Sequence, residues 1–366
     1  MMKLTDKTSF AVTLFAIFVN IFVSAQIYVL FEDSMHNTTV YNIMEAVGAI
    51  FMGFLSDKFC RRKTNILSHL IGFLLLLVIF LHPSYLFAIF LLGFFYSPLP
   101  ILRAGLVDNF TLFPRLYLLM LSFVVQFIPW CFYYVYVNVN PHIMHWTALA
   151  LITLSLVGSI FFFHDKRDQN IAERLRLKSA SIIHTSARKR VAYTFIAFFL
   201  MQLVFFFSDN FLESIDDMPN FYSLMSIGTA ICVLLALVFK DISHTSVLRV
   251  NYGINAAVSF LPLIAVIFFN TLHFNGAFQV IMLASFGAMT LPFVYDITMH
   301  SVNANYRGTA SGVLDFVYNL SSLFSISLIT LLDMHKVYTY AIITAGLCIA
   351  VFFQTRSEKH PEIAKP

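Results

Sequence analysis

The cations of this 366-residue chain are confined to a few short stretches. Of its 23 Lys and Arg, all but Lys336 fall within segments 1–9, 56–64, 104–115, 165–190, 240–250, 299–307 and 354–366, once Arg103 is counted at the inner end of its span. Between these segments lie apolar runs at about 10–31, 37–55, 65–81, 85–103, 116–137, 144–164, 191–208, 221–239, 251–270, 276–298, 308–332 and 337–353. Roughly 20 apolar residues cross the hydrocarbon core as a helix, so the pattern predicts twelve transmembrane helices joined by short loops. The chain is 59% hydrophobic and 11% charged, against about 25% charged in soluble domains, as expected of a membrane protein through most of its length. Twelve helices of about 20 residues take roughly 240 residues and leave only short loops. The first run is too long for the apolar core of a signal peptide and reads as the first span.

Positive residues collect on the cytoplasmic side of a membrane, so the basic segments predict that both termini are cytoplasmic. The opposite face is acidic or neutral, as in "FEDSMHNTT" after span one and "SDNFLESIDDMPN" after span seven. The longest polar stretch, 164–190, separates two sets of six helices. The expected organisation is therefore an all-α integral membrane protein with two six-helix bundles, 1–164 and 191–366, joined by a cytoplasmic linker, 165–190. That linker reads as a solvated connection, with a regulatory docking segment as the alternative.

One basic segment carries more than topology. In "GFLSDKFCRRKT", residues 53–64, Gly53 allows a neighbouring helix to approach closely. Asp57, at the inner end of span two, can pair with Lys58 or Arg61, or face the positive N-terminal end of another helix. This stretch resembles the signature loop between helices two and three of the major facilitator superfamily, Gly-x-x-x-Asp-Arg/Lys-x-Gly-Arg-Arg/Lys. Gly53, Asp57, Lys58, Arg61 and Arg62 match in register, with Cys60 in place of the second glycine. "NANYRGTASGVLDF", 303–316, is similar to that superfamily's entry into helix eleven, and "IYVLFEDSMHNTT", 27–39, resembles its bicyclomycin-resistance-type drug/proton antiporters.

The resemblance implies two six-helix halves that rock about a central site. The five matched residues would act as a conformational latch against helix eleven. It also implies a monomer in a bacterial inner (plasma) membrane. Two family features are absent: Ile89 stands four residues before Gly93 where an arginine is usual, and span five keeps Pro129 but has no glycine.

Ionisable side chains at bilayer depth cost about 2.5–3.5 kcal/mol on insertion scales and are functional candidates. Glu45 lies mid-span in span two, with Asn42, Ala49 and Met52 on its helical face. Removal from water suits such a carboxyl to carrying a proton, and a protonated acid bonded to a neighbouring helix is the alternative. Asp315, in span eleven, and Asp296, near the end of span ten, are the other proton-coupling candidates; Arg103 is a possible partner for Asp315. Gln26, Gln126, Trp130 and Asn319 are the candidates for a polar and aromatic substrate cavity, while Glu32 and Asp33 read as a solvated rim. His142 and His145 have spacing that could hold a metal, but beside Trp146 they read as an interfacial belt.

No Walker loop, GxSxG, HExxH or CxxC occurs, so neither ATP coupling, an enzyme, nor a metal or other cofactor is expected. The sequence supports a secondary transporter whose partners are a small-molecule substrate, protons and the lipid bilayer, with no nucleic acid. Export of amphipathic compounds, metabolite uptake and a transporter-like sensor remain alternatives.

Overall fold

A computed structural model describes residues 4–30, 35–82, 86–165, 183, 187–212, 218–269, 276–332 and 336–358. Every secondary-structure element among them is helical. In order these are α1 (Leu4–Leu30), α2 (Met35–Lys58), α3 (Arg61–Leu81), α4 (Leu86–Phe95), α5 (Leu99–Asn109), α6 (Arg115–Cys131), α7 (Tyr133–Asn138) and α8 (Pro141–Phe162). They continue with α9 (Arg188–Leu212), α10 (Met218–Leu235), α11 (His244–Phe269), α12 (Gly276–Ser301), α13 (Arg307–Leu332) and α14 (Lys336–Glu358). Short 3-10 turns at Ala236–Phe239 and Ala304–Tyr306 extend α10 and lead into α13.

Two expected spans are each made of two helices, and proline accounts for both breaks. The fourth stops at Phe95 and restarts at Leu99, because Pro98 has no N–H to continue the ladder while Pro100 suits the first turn of the next helix. It also runs six residues beyond the sequence expectation, to Asn109. The fifth breaks at Phe132, three residues after Pro129. With α4 joined to α5 and α6 to α7, the helices give the twelve spans read from the apolar runs. Among the described residues, six of these, all between Thr5 and Phe162, meet the length and hydropathy expected of a membrane span.

The chain divides into two compact units, residues 1–182 with 302–319, and residues 183–301 with 320–366. In the first, about two-thirds of the apolar stretch of α1 and of the fourth span is buried, against 33–39% for the third, fifth and sixth spans, so α1 and α4–α5 form the interior. Val19, Val23 and Ile27 of α1 pack with Leu76 and Ile79 of α3, Ile89 and Leu92 of α4, and Ile152 of α8. The other spans turn Leu74, Leu154 and Phe161 outward, as a lipid-facing surface requires.

A polar cluster is buried inside this apolar shell. His69 places Nδ1 2.9 Å from the Asn65 carbonyl and Nε2 2.9 Å from Ser155 Oγ, and Asn65 donates to Ser159 Oγ at 2.9 Å. These bonds join α3 to α8 and satisfy groups that would otherwise be costly to bury.

In the second unit α14 packs on α9 and α11, and α12 on α9, α10 and α11. The first six spans show corresponding pairings, α8 on α1 and α3, and α4 on α2 and α3. Ser357 Oγ donates to the Arg190 carbonyl and lies 2.9 Å from Thr194 Oγ1, while Arg249 meets Glu358 at 2.6 Å.

Candidate functional site

The basic segment 53–64 is mostly helix. α2 runs to Lys58 and α3 starts at Arg61, so only Phe59 and Cys60 connect them. Cys60 has φ −86° and ψ 123°, an extended conformation open to any residue, so this turn does not need the glycine that cysteine replaces. Its carbonyl accepts from the Thr64 amide at 2.9 Å, which closes the first turn of α3.

Asp57 does not pair with its neighbour Lys58. Its carboxylate accepts from the backbone N–H of Gly308 at 3.1 Å, from the N–H of Thr309 at 2.6 Å and from Thr309 Oγ1 at 2.9 Å. The first N–H groups of a helix have no partner within it, and α13 begins at Arg307. Asp57 therefore caps α13 from a different helix, adding charge–dipole attraction to the hydrogen bonds.

Four charged side chains close a ring around this cap. Arg61, fully buried, lies 3.5 Å from Asp57 and 2.5 Å from Asp108, and it also donates to the Ala104 carbonyl. Asp108 in turn pairs with Arg307, the first residue of α13. The ring thus runs from α13 through Asp57, Arg61 and Asp108 back to α13.

Small residues allow the helices to meet this closely. A Cβ added to Gly53 would lie 2.3 Å from the Gly308 carbonyl oxygen, and one added to Gly312 would lie 2.3 Å from that of Ala49. α2 and α13 therefore run antiparallel in backbone contact, with Ala49, Gly53 and Ser56 against Gly308 and Gly312. Lys58 and Arg62 stand outside the ring. Lys58 sits about 100° round the helix from Asp57 and holds its ammonium over the Phe54 and Phe59 rings, at 5.8 and 5.9 Å. Arg62 donates to the Ile160 carbonyl at the end of α8.

The same faces of α2 and α13 carry the intramembrane carboxyls. Glu45 lies twelve residues from Asp57, about 18 Å along α2. Asp315 follows Gly308 and Gly312 on one stripe of α13. Its Oδ1 lies 2.5 Å from Arg103 Nη1, an ion pair between residues 212 positions apart. Arg103 is 1% exposed, donates a second hydrogen bond to Gln126 Oε1 of α6, and has its guanidinium 4.4 Å from the centre of the Phe123 ring.

Glu45 is half-buried and close enough to Asp315 for their charges to repel. Ser24 Oγ of α1 lies 3.5 Å from its Oε1 and 3.0 Å from the Tyr41 hydroxyl. Tyr28 donates to Asn42 Oδ1 at 2.6 Å. Trp130 meets Tyr28 edge-on at 5.5 Å and lies 5.6 Å from Tyr133.

Of the expected cavity residues, Gln126 and Trp130 thus join the network around Arg103 and Tyr28. Gln26 is buried in α1 with no hydrogen-bond partner for either amide atom. Asn319 is half-buried, one turn beyond Asp315. Asp296 belongs to the second unit, with its carboxylate 3.0 Å from His244 Nδ1 at the start of α11. Among the described residues no group of three or more His, Cys, Asp or Glu is placed to hold a metal. His145 instead directs Nδ1 to the Pro141 carbonyl of its own helix, and the Phe80 ring packs against it, His142 and Trp146. Glu32 and Asp33 lie outside the described residues, as does most of the 165–190 linker.

Sequence reasoning missed Asp108 and Tyr28. Asp108 was hidden in a segment defined by its cations, although it is the acidic residue nearest Arg103 along the chain. Tyr28 lies one turn from Ser24 on α1, a spacing that marks a shared face but not what the face meets.

Residues 8–326 match the family model described as Major Facilitator Superfamily. Among solved structures, the human organic anion transporter MFSD10 (TETRAN) is similar with a TM-score of 0.76 at 12% identity, covering 95% of this chain and 99% of that one. A bacterial homologue of the iron transporter ferroportin, in an outward-facing state with soaked iron, gives 0.70 at 13% identity over 98% and 100%. No curated protein sequence matches the chain. At such identities the structural likeness speaks for the fold, and the family match covers most of the chain: it belongs to the Major Facilitator Superfamily, as an integral membrane transporter and not an enzyme.

Proposed function

We propose that the protein is a secondary transporter that moves a small solute by alternating access of two six-helix halves, 1–164 and 191–366. The linker 165–190 and both termini are cytoplasmic in this reading. The observation that carries it is the capping of α13 by Asp57 of α2, closed by Arg61, Asp108 and Arg307. Such a clasp is made of hydrogen bonds and ion pairs laid over a contact of small residues, so it can open as a unit and re-form. It stabilises one arrangement of α13 against α2, and its loss releases the other.

Coupling to protons runs through Glu45, with Asp315 as the second carboxyl and Arg103 as its counter-ion. When Arg103 holds Asp315 and the clasp is closed, the two carboxyls face one another across the α2–α13 seam. Protonation of Glu45 removes their repulsion and favours the closed seam. Asp296, paired with His244, is the remaining proton-coupling candidate.

The substrate is a small molecule that enters among Gln26, Gln126, Trp130 and Asn319. The human structural neighbour is an organic anion transporter. A buried arginine such as Arg103 would suit an anion, but Asp315 already neutralises it at 2.5 Å. Export of amphipathic compounds, in the manner of bicyclomycin-resistance-type antiporters, is supported by the aromatic side chains beside Glu45 and by residues 27–39.

The test is proton movement in proteoliposomes across a panel of solutes, comparing wild type with Glu45→Gln and Asp57→Asn. Wild type is expected to move protons with at least one solute, Glu45→Gln to uncouple them, and Asp57→Asn to slow turnover. A wild type that moves neither protons nor solute sinks the transporter reading. Normal coupling in Glu45→Gln removes that residue as the carrier.

A further inference from the structure

We infer that Glu45 and the aromatic side chains around it form the binding site for a monovalent organic cation, a protonated amine or quaternary onium borne on an apolar body. This rests on the transporter reading above and names the substrate class of that site.

Charge accounting leads to it. Three ionisable side chains meet here, Glu45, Arg103 and Asp315. Arg103 and Asp315 are consumed by one another at 2.5 Å, and Arg103 has a further partner in Gln126 and a ring face in Phe123. Glu45 is left over. Its neighbours are Ser24 Oγ at 3.5 Å from α1, the Tyr28 and Tyr41 hydroxyls, and the repelling Asp315 from α13. Among the described residues no Lys, Arg or His pairs with it. A carboxyl at this depth is costly unless a proton or a cation joins it.

The surrounding side chains favour the cation over other solutes. Tyr28, Trp130 and Tyr133 form a contiguous aromatic wall, with centroid spacings of 5.5 and 5.6 Å, and Tyr318 of α13 lies near Tyr28. Aromatic faces attract an organic cation and also cover its apolar body. An anion placed here would meet Glu45 and Asp315 together and would have to break the Arg103 pair to gain a partner. A neutral solute would leave Glu45 protonated or uncompensated. Cation and proton therefore compete for one carboxylate: one bound cation displaces one proton, with no net change of charge in the site.

Equilibrium binding tests the site without requiring transport. The chain has two tryptophans, and Trp146 is exposed on α8, where its ring packs against Phe80. Trp146→Phe leaves Trp130 as the reporter. Tetraphenylphosphonium and tetraphenylborate, ions of like shape and opposite charge, are titrated against the purified full-length protein in detergent. Tetraphenylphosphonium is expected to quench Trp130 saturably and at least about tenfold more tightly than the borate, releasing about one proton per ion bound. Glu45→Gln is expected to weaken it at least tenfold, and Glu45→Asp to recover part of the loss.

Borate binding as tight or tighter points to an anion site at Arg103 and overturns the inference. So does unchanged cation binding in Glu45→Gln, or a non-saturating response to both ions. Saturable cation binding with inactive proteoliposomes would sink the transporter reading while leaving the site intact.

Discussion

Replacing Gly53 by alanine strains the clasp where its geometry is tightest. The new Cβ would lie 2.3 Å from the Gly308 carbonyl oxygen and 2.9 Å from its carbon, both backbone atoms that cannot swing aside. Ordinary contact begins at 3.4 Å, so α2 and α13 must part by about 1 Å. That movement carries the 2.6 and 3.1 Å bonds from Thr309 and Gly308 to Asp57 beyond the ~3.2 Å reach of an N–H···O hydrogen bond. Hydrogen bonds to a charged group contribute roughly 1.5–3 kcal/mol each. The closed clasp should therefore lose about 3 kcal/mol, or roughly 100-fold in its population relative to the open form.

The readout is the maleimide labelling rate of Ser311→Cys, placed on the fully buried Ser311 of α13, in a protein whose four native cysteines are replaced. Gly53→Ala is expected to raise that rate by up to about 100-fold. Gly253→Ala serves as the control, because a Cβ there meets nothing within 4 Å. If Gly53→Ala labels within about threefold of its parent while eluting as a folded monodisperse protein, the backbone contact does not hold the clasp and the reasoning fails.

Two further outcomes concern buried charge. Arg103→Gln leaves Asp315 without its cation in the protein interior, a change that typically costs roughly 3–5 kcal/mol. It should lower the melting temperature in detergent more than Arg103→Gln combined with Asp315→Asn, and equal losses would refute the pairing. Arg61→Ala should lower the melting temperature strongly because it breaks the ring at both Asp57 and Asp108, whereas Lys58→Ala should leave it unchanged. Equal effects would mean that the basic segment acts only as a charge anchor.

How far the sequence could be read differs from element to element. The twelve spans were legible because charge at bilayer depth is costly, so the cations themselves mark where the apolar runs stop. The break at Tyr96–Pro98 was written in the chain as Pro98 and Pro100, yet it lies within one continuous apolar run, and the extra turns to Asn109 went with it. For Asp57 the sequence left Lys58, Arg61 and the start of another helix as alternatives, and the structure brings it to Arg61 and to the start of α13 but not to Lys58. Cys60 looked like a defect against the family pattern, but its extended backbone shows that the turn makes no demand for glycine.

Sequence by itself determined the transmembrane helices, the division of charge and Gly53 as a point where a neighbouring helix can come close. These follow from local rules: apolar length, the cost of burying charge and helical periodicity. Tertiary structure alone decided the partners. Arg103 and Asp315 are 212 positions apart, Arg61 and Asp108 are 47 apart, and Asp57 and Thr309 are 252 apart. No periodicity relates such distances. They are set by which helix faces pack, and that depends on the fit of Gly53 and Ala49 against Gly308 and Gly312. The charged residues were visible as unusual, but which of them cancel, and that Glu45 remains over, is a property of the packed helices.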